Sequence, residues 1–331
     1  FAPSDLNAHP ASVLLPKKSL AEKIDENPDV VLARPTRLED PQFRITAVLK
    51  AANSPKRGDV LDATISNDPE APTEIDNLFT SFLLTRNSPE DGWVVQSPAG
   101  LHLTPFYRQV IELPGDYADS NESYRDRLRF FLPLVAHPDT RIANSAVAAI
   151  GRAPYATVRL LKDDLDRETL RAFIADSKQV GWRSLQFTLL GIGGNDEDTA
   201  FVRDNLDAMW EKNEFTDLAA LLVAYIELAG AEAADHIVEA YVKDRDRTFV
   251  EIKEALTALA MQGDERDPLP REPVIEAFGW LLENRAPLAY LVVPDYTRWK
   301  YWDVMPELAE IARTRGYQLP YICLLYTSDA A

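Results

Sequence analysis

The side chains able to do chemistry are few and scattered. Four histidines, His9, His102, His137 and His236, lie in four separate segments, and none has the His-Glu-x-x-His spacing that sets two imidazoles on one helical face around a metal. Two acidic clusters, Asp163-Asp-Leu-Asp166 and Asn195-Asp-Glu-Asp198, have carboxylates enough for calcium. They lack the glycine turn and closing glutamate of an EF-hand loop, and both precede helical patterns, where carboxylates stabilise the positive helix end. Gly191-Ile-Gly-Gly194 follows a helical pattern rather than a strand and has no Lys-Ser/Thr, so it reads as a helix terminator rather than a phosphate loop. There is no Gly-x-Ser-x-Gly elbow. These observations assign no catalytic, cofactor-binding or metal-ligating residue.

What remains is aromatic. Tyr290, Tyr296, Trp299, Tyr301 and Trp302, with Arg298 and Lys300 among them, fall within thirteen residues. Rings act mainly by burial, which makes packing of the last repeat their ordinary role. Trp, Tyr and Arg also dominate interface hot spots, so Tyr296, Arg298, Trp299 and Trp302 form the candidate recognition patch. If the stretch is helical, Trp299 and Trp302 share a face.

The elements that must position these residues change character along the chain. Thirteen of 23 prolines lie at or before Pro114 and none between Tyr155 and Asp267, so long helices are expected only in the later region. Ser19-Leu-Ala-Glu22 has capping-box spacing for a short helix. Asp29–Arg34, the alternating Phe43–Lys50, Val60–Ile65, Phe79–Thr85 and Trp93–Gln96 read as five short strands, whose edges are best removed by closure into a small antiparallel barrel. From Leu101 the period becomes 3.6, and apolar stripes from Leu128–Val135 to Val304–Ile311 predict eleven helices. Glycines at 151, 191–194, 230 and 263 are expected as left-handed caps, and their spacing of 40, 37 and 33 residues suits one helix pair per repeat. The expected architecture is α+β in two domains: a barrel-like domain over 1–100 and an all-α solenoid over 101–322.

Three resemblances bear on this layout. The strand order over about residues 28 to 96 resembles oligonucleotide-binding-type barrels of netrin-like modules, which implies an inhibitor-like binding barrel. Leu134-Val-Ala-His-Pro-Asp-Thr-Arg-Ile-Ala-Asn-Ser-Ala-Val-Ala-Ala-Ile-Gly151 resembles a HEAT repeat. Across most of the chain, Asp29–Arg34, Ala153-Pro-Tyr155, Leu189–Gly193 and Val292–Trp299 are similar to a bacterial family that joins a β amino-terminal domain to HEAT-like helices. That likeness implies export across the inner membrane, hence a periplasmic or exported protein, and no particular activity.

Composition sets the partner class. Of 331 residues 46% are apolar and 27% charged, the balance of a globular chain. With 35 Lys and Arg against 53 Asp and Glu, the net charge of −18 has the wrong sign for nucleic acid or an anionic membrane, and no 18-residue apolar run offers a membrane span. The start at Phe1 reads as truncated. Cys323-Leu-Leu-Tyr-Thr-Ser-Asp-Ala-Ala331 resembles a translated sequencing-library adapter, so 323–331 are expected not to be native. The expected function is non-catalytic protein interaction or scaffolding, an acidic helical surface taking a protein or peptide partner that is basic. The alternative is an enzyme or enzyme subunit with its site between barrel and helices.

Overall fold

The computed structural model describes residues 18–113, 122–176, 182–212, 214–265 and 268–315. The assigned tail, 323–331, and His9 lie outside them. Contacts divide the chain into two compact units, one over Leu15–Ala153 and the other from Pro154 onward. The change of period at Leu101 is therefore not the boundary between compact units: three helices that follow the strands group with them.

The first unit begins with α1 (Leu20–Glu26), where Ser19 and Glu22 form the capping box that their spacing predicts. Five strands follow: β1 (Asp29–Pro35), β2 (Gln42–Ala51), β3 (Val60–Ile65), β4 (Phe82–Arg86) and β5 (Trp93–Pro98). They close in the order β1-β2-β3-β5-β4, with β4 returning to β1. One pair corrects the antiparallel expectation. Five strands in a closed ring cannot alternate throughout, and the mismatch falls between β3 and β5, where Ala63, Thr64 and Ile65 run parallel to Trp93, Val94 and Val95. β4 also starts later than the apolar pattern suggests, because the Asn77 side chain accepts the Phe79 N–H in a local turn and leaves Phe79 83% exposed.

The barrel interior holds Val31, Ala33, Phe43, Ile45, Phe82, Leu84, Trp93 and Val95. Val30, Leu32 and Leu83 alternate with these and are buried too, so the outer side of β1 and β4 is covered. Helices pack beside the barrel: α2 (Leu103–Glu112) packs on β2 and on α1, and α4 (Thr140–Gly151) packs on α1 and on α3 (Glu122–Phe131). Asp29, fully buried, accepts from Arg86 at 2.8 Å and from Asn53, while the Arg86 guanidinium lies 4.6 Å from the centre of the Trp93 ring.

The elements of the second unit among the described residues are helical: α5 (Tyr155–Arg159), α6 (Arg167–Ala175), α7 (Arg183–Gly193), α8 (Asp196–Lys212), α9 (Leu218–Ile237), α10 (Phe249–Glu265), α11 (Arg271–Asn284), α12 (Val293–Trp299) and α13 (Met305–Arg315). Among the described residues twelve α-helices follow the barrel rather than eleven. The stripes at Leu218–Leu228 and Ile237–Tyr241 prove to belong to α9 and a π-helical turn over Val238–Lys243, while two helices add to the expected set: α2, whose Leu103, Phe106, Tyr107 and Val110 make a regular buried stripe, and the seven-residue α12.

α7 and α9 are buried all round, Ser184–Ile192 and Leu218–Ile226 without a gap, as befits helices whose apolar residues occupy every face. α9 packs against α7, α8 and α10. Its start is tied to α7 by Asp217, which accepts from Arg183 Nε at 2.6 Å and from the Ser184 hydroxyl at 2.5 Å.

Most of the expected glycine caps are corrected by the backbone. Only Gly230 of that set has a left-handed φ, +57°, where it kinks α9. Gly191 lies inside α7 for a different reason: a Cβ there would stand 2.5 Å from Ala224 Cα, so its absence lets α7 and α9 touch.

Candidate functional site

The aromatic segment does not form one face. α12 ends at Trp299, Lys300 takes the left-handed conformation (φ +54°) that terminates it, and Trp302 begins a separate 3-10 turn. Tyr296 is a core residue, 1% exposed, edge-on to Phe278 with ring centres 5.9 Å apart and stacked on Tyr301 at 5.7 Å. Burial pushes its phenol well above the usual range. Trp299 is half-buried, stacked on Phe278 at 5.6 Å, and donates its indole N–H to Asp264 at 2.5 Å. Trp302 is also half-buried.

Arg298 is committed internally, pairing with Asp264 at 2.8 Å and Asp295 at 2.7 Å. Burial raises the Asp295 carboxyl to about 6, against the opposing pull of Arg298. Arg298, a member of the candidate recognition patch, thus fastens α12 to the end of α10.

A hollow of about 420 Å³ opens beside this cluster, lined by Arg271, Glu272, Ile275, Glu276, Trp299, Lys300 and Tyr301. Of the four residues that sequence reasoning selects, only Trp299 reaches it. α11 supplies Glu272, Ile275 and Glu276 at i, i+3 and i+4, so the two carboxylates stand on the same side as the rings. Both glutamates are exposed, and neither has a hydrogen-bond or ion-pair partner among the described residues. Arg271 lies 5.0 Å from the centre of the Trp299 ring and donates to Gly263 O at 2.7 Å.

The group nearest to a catalytic constellation is in the first unit. His102 Nε2 is 2.8 Å from Asp139 Oδ2, but Asp139 is the N-cap of α4, accepting from the Arg141 N–H at 3.0 Å and pairing with the Arg141 guanidinium at 2.6 Å. Arg141 holds its carboxyl far below the usual range. The nearby Ser97 is fully buried and donates to Pro98 O rather than to the imidazole. This pair fixes the start of a helix.

The acidic clusters act in the same way. Asp166 caps α6, accepting from Glu168 and Thr169 N–H groups at 3.1 and 3.3 Å. Asp198 is fully buried in the first turn of α8, accepting from Asn195 N–H at 2.9 Å, with Arg171 at 3.3 Å and Arg167 at 3.6 Å. No three or more His, Cys, Asp or Glu among the described residues are grouped so as to hold a metal ion.

Two polar clusters of the second unit escaped the sequence reading. Tyr155 donates to Glu227 at 2.8 Å, Gln262 reaches the same carboxylate at 3.1 Å and Arg159 lies 3.3 Å from it, beside a hollow of about 280 Å³. The second surrounds Trp210 on α8. In both, the partners are tens of residues apart, and Tyr155, Tyr225 and Tyr241 look in sequence like ordinary members of apolar stripes.

Fold and site together define a two-part protein: a closed five-stranded barrel with its own helices, and a helical unit that carries an open aromatic and carboxylate hollow. No protein-family model matches the chain, and neither curated proteins nor solved structures give a match.

Proposed function

We propose that the protein is a non-catalytic interaction protein whose helical unit takes a basic segment of a partner at the Trp299 hollow. One observation carries this reading: the unpaired carboxylates of Glu272 and Glu276 stand beside the rings of Trp299 and Tyr301. A lysine or arginine side chain entering the hollow gains two ion-pair partners, with its aliphatic stem against the edges of the rings. The wider field favours the same sign, since residues 154–331 hold 19 Lys and Arg against 32 Asp and Glu.

The scaffold reading extends to the whole unit as a HEAT-like stack. The packing of α6 on α7, α7 on α9, α9 on α10 and α10 on α11 supports it. The hydrogen bonds of Tyr155 to Glu227 at 2.8 Å and Gln262 at 3.4 Å join α5 to α9 and α10 and so depart from nearest-neighbour stacking. For the barrel, the strand order β1-β2-β3-β5-β4 with one parallel pair supports the oligonucleotide-binding-type reading of its architecture.

The test is calorimetric titration with a lysine- and arginine-rich peptide at low and physiological salt. Glu272→Gln with Glu276→Gln removes two of 53 acidic residues, so unspecific attraction stays nearly constant while binding at the hollow should weaken at least tenfold. Equal binding by the double variant would refute the assignment.

A further inference from the structure

Another cavity of the helical unit, about 350 Å³, is lined by Arg203, Leu206, Asp207, Trp210, Tyr225, His236 and Tyr241. Its construction departs from plain helix packing in two ways. α8 contributes Arg203, Leu206, Asp207 and Trp210 at i, i+3, i+4 and i+7, a single helical face. α9 contributes Tyr225 before its kink at Gly230 and His236 after it, and the π-helical turn then brings in Tyr241. Single π turns are uncommon in helical proteins and concentrate at functional sites.

The hydrogen bonding inside is one-sided. Tyr225 and Tyr241 are each 3% exposed. The Tyr225 hydroxyl accepts from Arg203 Nε at 3.0 Å and Nη2 at 2.5 Å, and the Tyr241 hydroxyl accepts from the Trp210 indole N–H at 3.1 Å. Each phenol therefore keeps its own O–H as a donor, and neither donor has an acceptor among the described residues. His236 stands edge-on to Tyr225, with ring centres 6.1 Å apart, and makes no hydrogen bond among the described residues. The single carboxylate is Asp207, exposed and unpaired among the described residues although it lies one turn from Arg203, whose guanidinium turns to Tyr225 and Glu232 instead.

Trp210 is held rigidly. Arg247 covers it at 3.4 Å from the ring centre and Phe215 meets it edge-on. With Leu206 it forms an apolar wall. The cavity thus offers two buried hydroxyl donors and a guanidinium for an anionic group, a free carboxylate for a cation, and a rigid ring for an apolar body. Its size is at the low end for small-molecule sites, about 300 Å³ and upward, too small for a nucleotide-sized ligand.

We propose that this cavity binds a free α-amino acid with an apolar side chain, its carboxylate on the hydroxyls of Tyr225 and Tyr241 beside Arg203 and its ammonium on Asp207. A simple carboxylate would face Asp207 without compensation. A simple amine would leave the buried phenol donors unsatisfied. The site shares no residue with the Trp299 hollow, so either assignment can fail without the other.

The test is calorimetry on the full chain with phenylalanine, 3-phenylpropanoate and phenethylamine. Phenylalanine should bind at least tenfold more tightly than either analogue, since each analogue lacks one charge-assisted contact. Tyr241→Phe should weaken phenylalanine about tenfold. Asp207→Asn, at an exposed position that leaves the fold intact, should weaken phenylalanine about tenfold and leave 3-phenylpropanoate unchanged or tighter. Equal binding of phenylalanine and 3-phenylpropanoate, an Asp207→Asn variant that binds phenylalanine as the parent does, or no heat at millimolar phenylalanine, leucine and tryptophan would each overturn the proposal.

Discussion

Gly191→Ala separates helix propensity from packing. In an isolated helix the change should stabilise by about 1 kcal/mol, because alanine is the better helix former. At Gly191 the added Cβ would meet Ala224 Cα at 2.5 Å, Ala224 Cβ at 2.9 Å and Ala224 O at 3.2 Å. Two of those three atoms are backbone of α9, which is buried over Leu218–Ile226, so no side-chain rotation can relieve the clash. The helices must separate, and overpacking of this kind costs about 1–3 kcal/mol, more where backbone has to shift. With the propensity gain subtracted, a net loss of about 2 kcal/mol is expected. Gly279 in α11 is the control, because a Cβ there meets nothing within 4 Å, and Gly279→Ala should gain about 0.5–1 kcal/mol. Melting followed by circular dichroism should place the two variants on opposite sides of the parent, separated by on the order of 6–12 °C. A Gly191→Ala protein as stable as the parent would refute the close α7–α9 packing.

Two further expectations concern buried charge. Asp217→Ala strands Arg183 and the Ser184 hydroxyl beside a carboxylate site that is 2% exposed, and urea unfolding should show a loss of about 3 kcal/mol. Asp295, with its carboxyl raised from 3.8 to about 6, holds its proton more tightly folded than unfolded, so the stability it contributes is complete below about 4 and is lost as pH rises through 6. Relative to Asp295→Asn, the parent should therefore lose on the order of 2 kcal/mol between pH 4 and 7. A flat difference would show that Arg298 keeps this carboxylate ionised.

Local rules account for the elements that sequence alone reveals. β1 and β3 follow from short apolar or alternating runs bounded by Pro35 and by the turn before Val60, α1 from its capping box, and α4 from the break at His137-Pro-Asp-Thr140, where either Asp139 or Thr140 could accept orphan amides and the structure uses Asp139. What those rules cannot supply is closure: the β3–β5 parallel pair joins segments about thirty residues apart, and its direction follows from the odd number of strands. The glycine spacing of 40, 37 and 33 residues has mixed causes, a left-handed φ at the Gly230 kink within α9 but close helix approach at Gly191 within α7, which the sequence does not distinguish. The aromatic segment is legible as a cluster, yet its use is decided by Lys300, which ends α12 and parts Trp299 from Trp302. Glu272 and Glu276 carry no sequence signal beyond charge, and the phenols of Tyr225 and Tyr241 read as core because their rings are core.

Amide hydrogen exchange read by mass spectrometry, with and without a saturating basic peptide, is the measurement that bears most directly on the proposed function. Added protection is expected in α11 around Arg271–Glu276 and at the end of α12 through Tyr301, with little change along α7 and α8. Protection spread over the acidic surface, confined to the barrel, or absent at saturation would contradict the account.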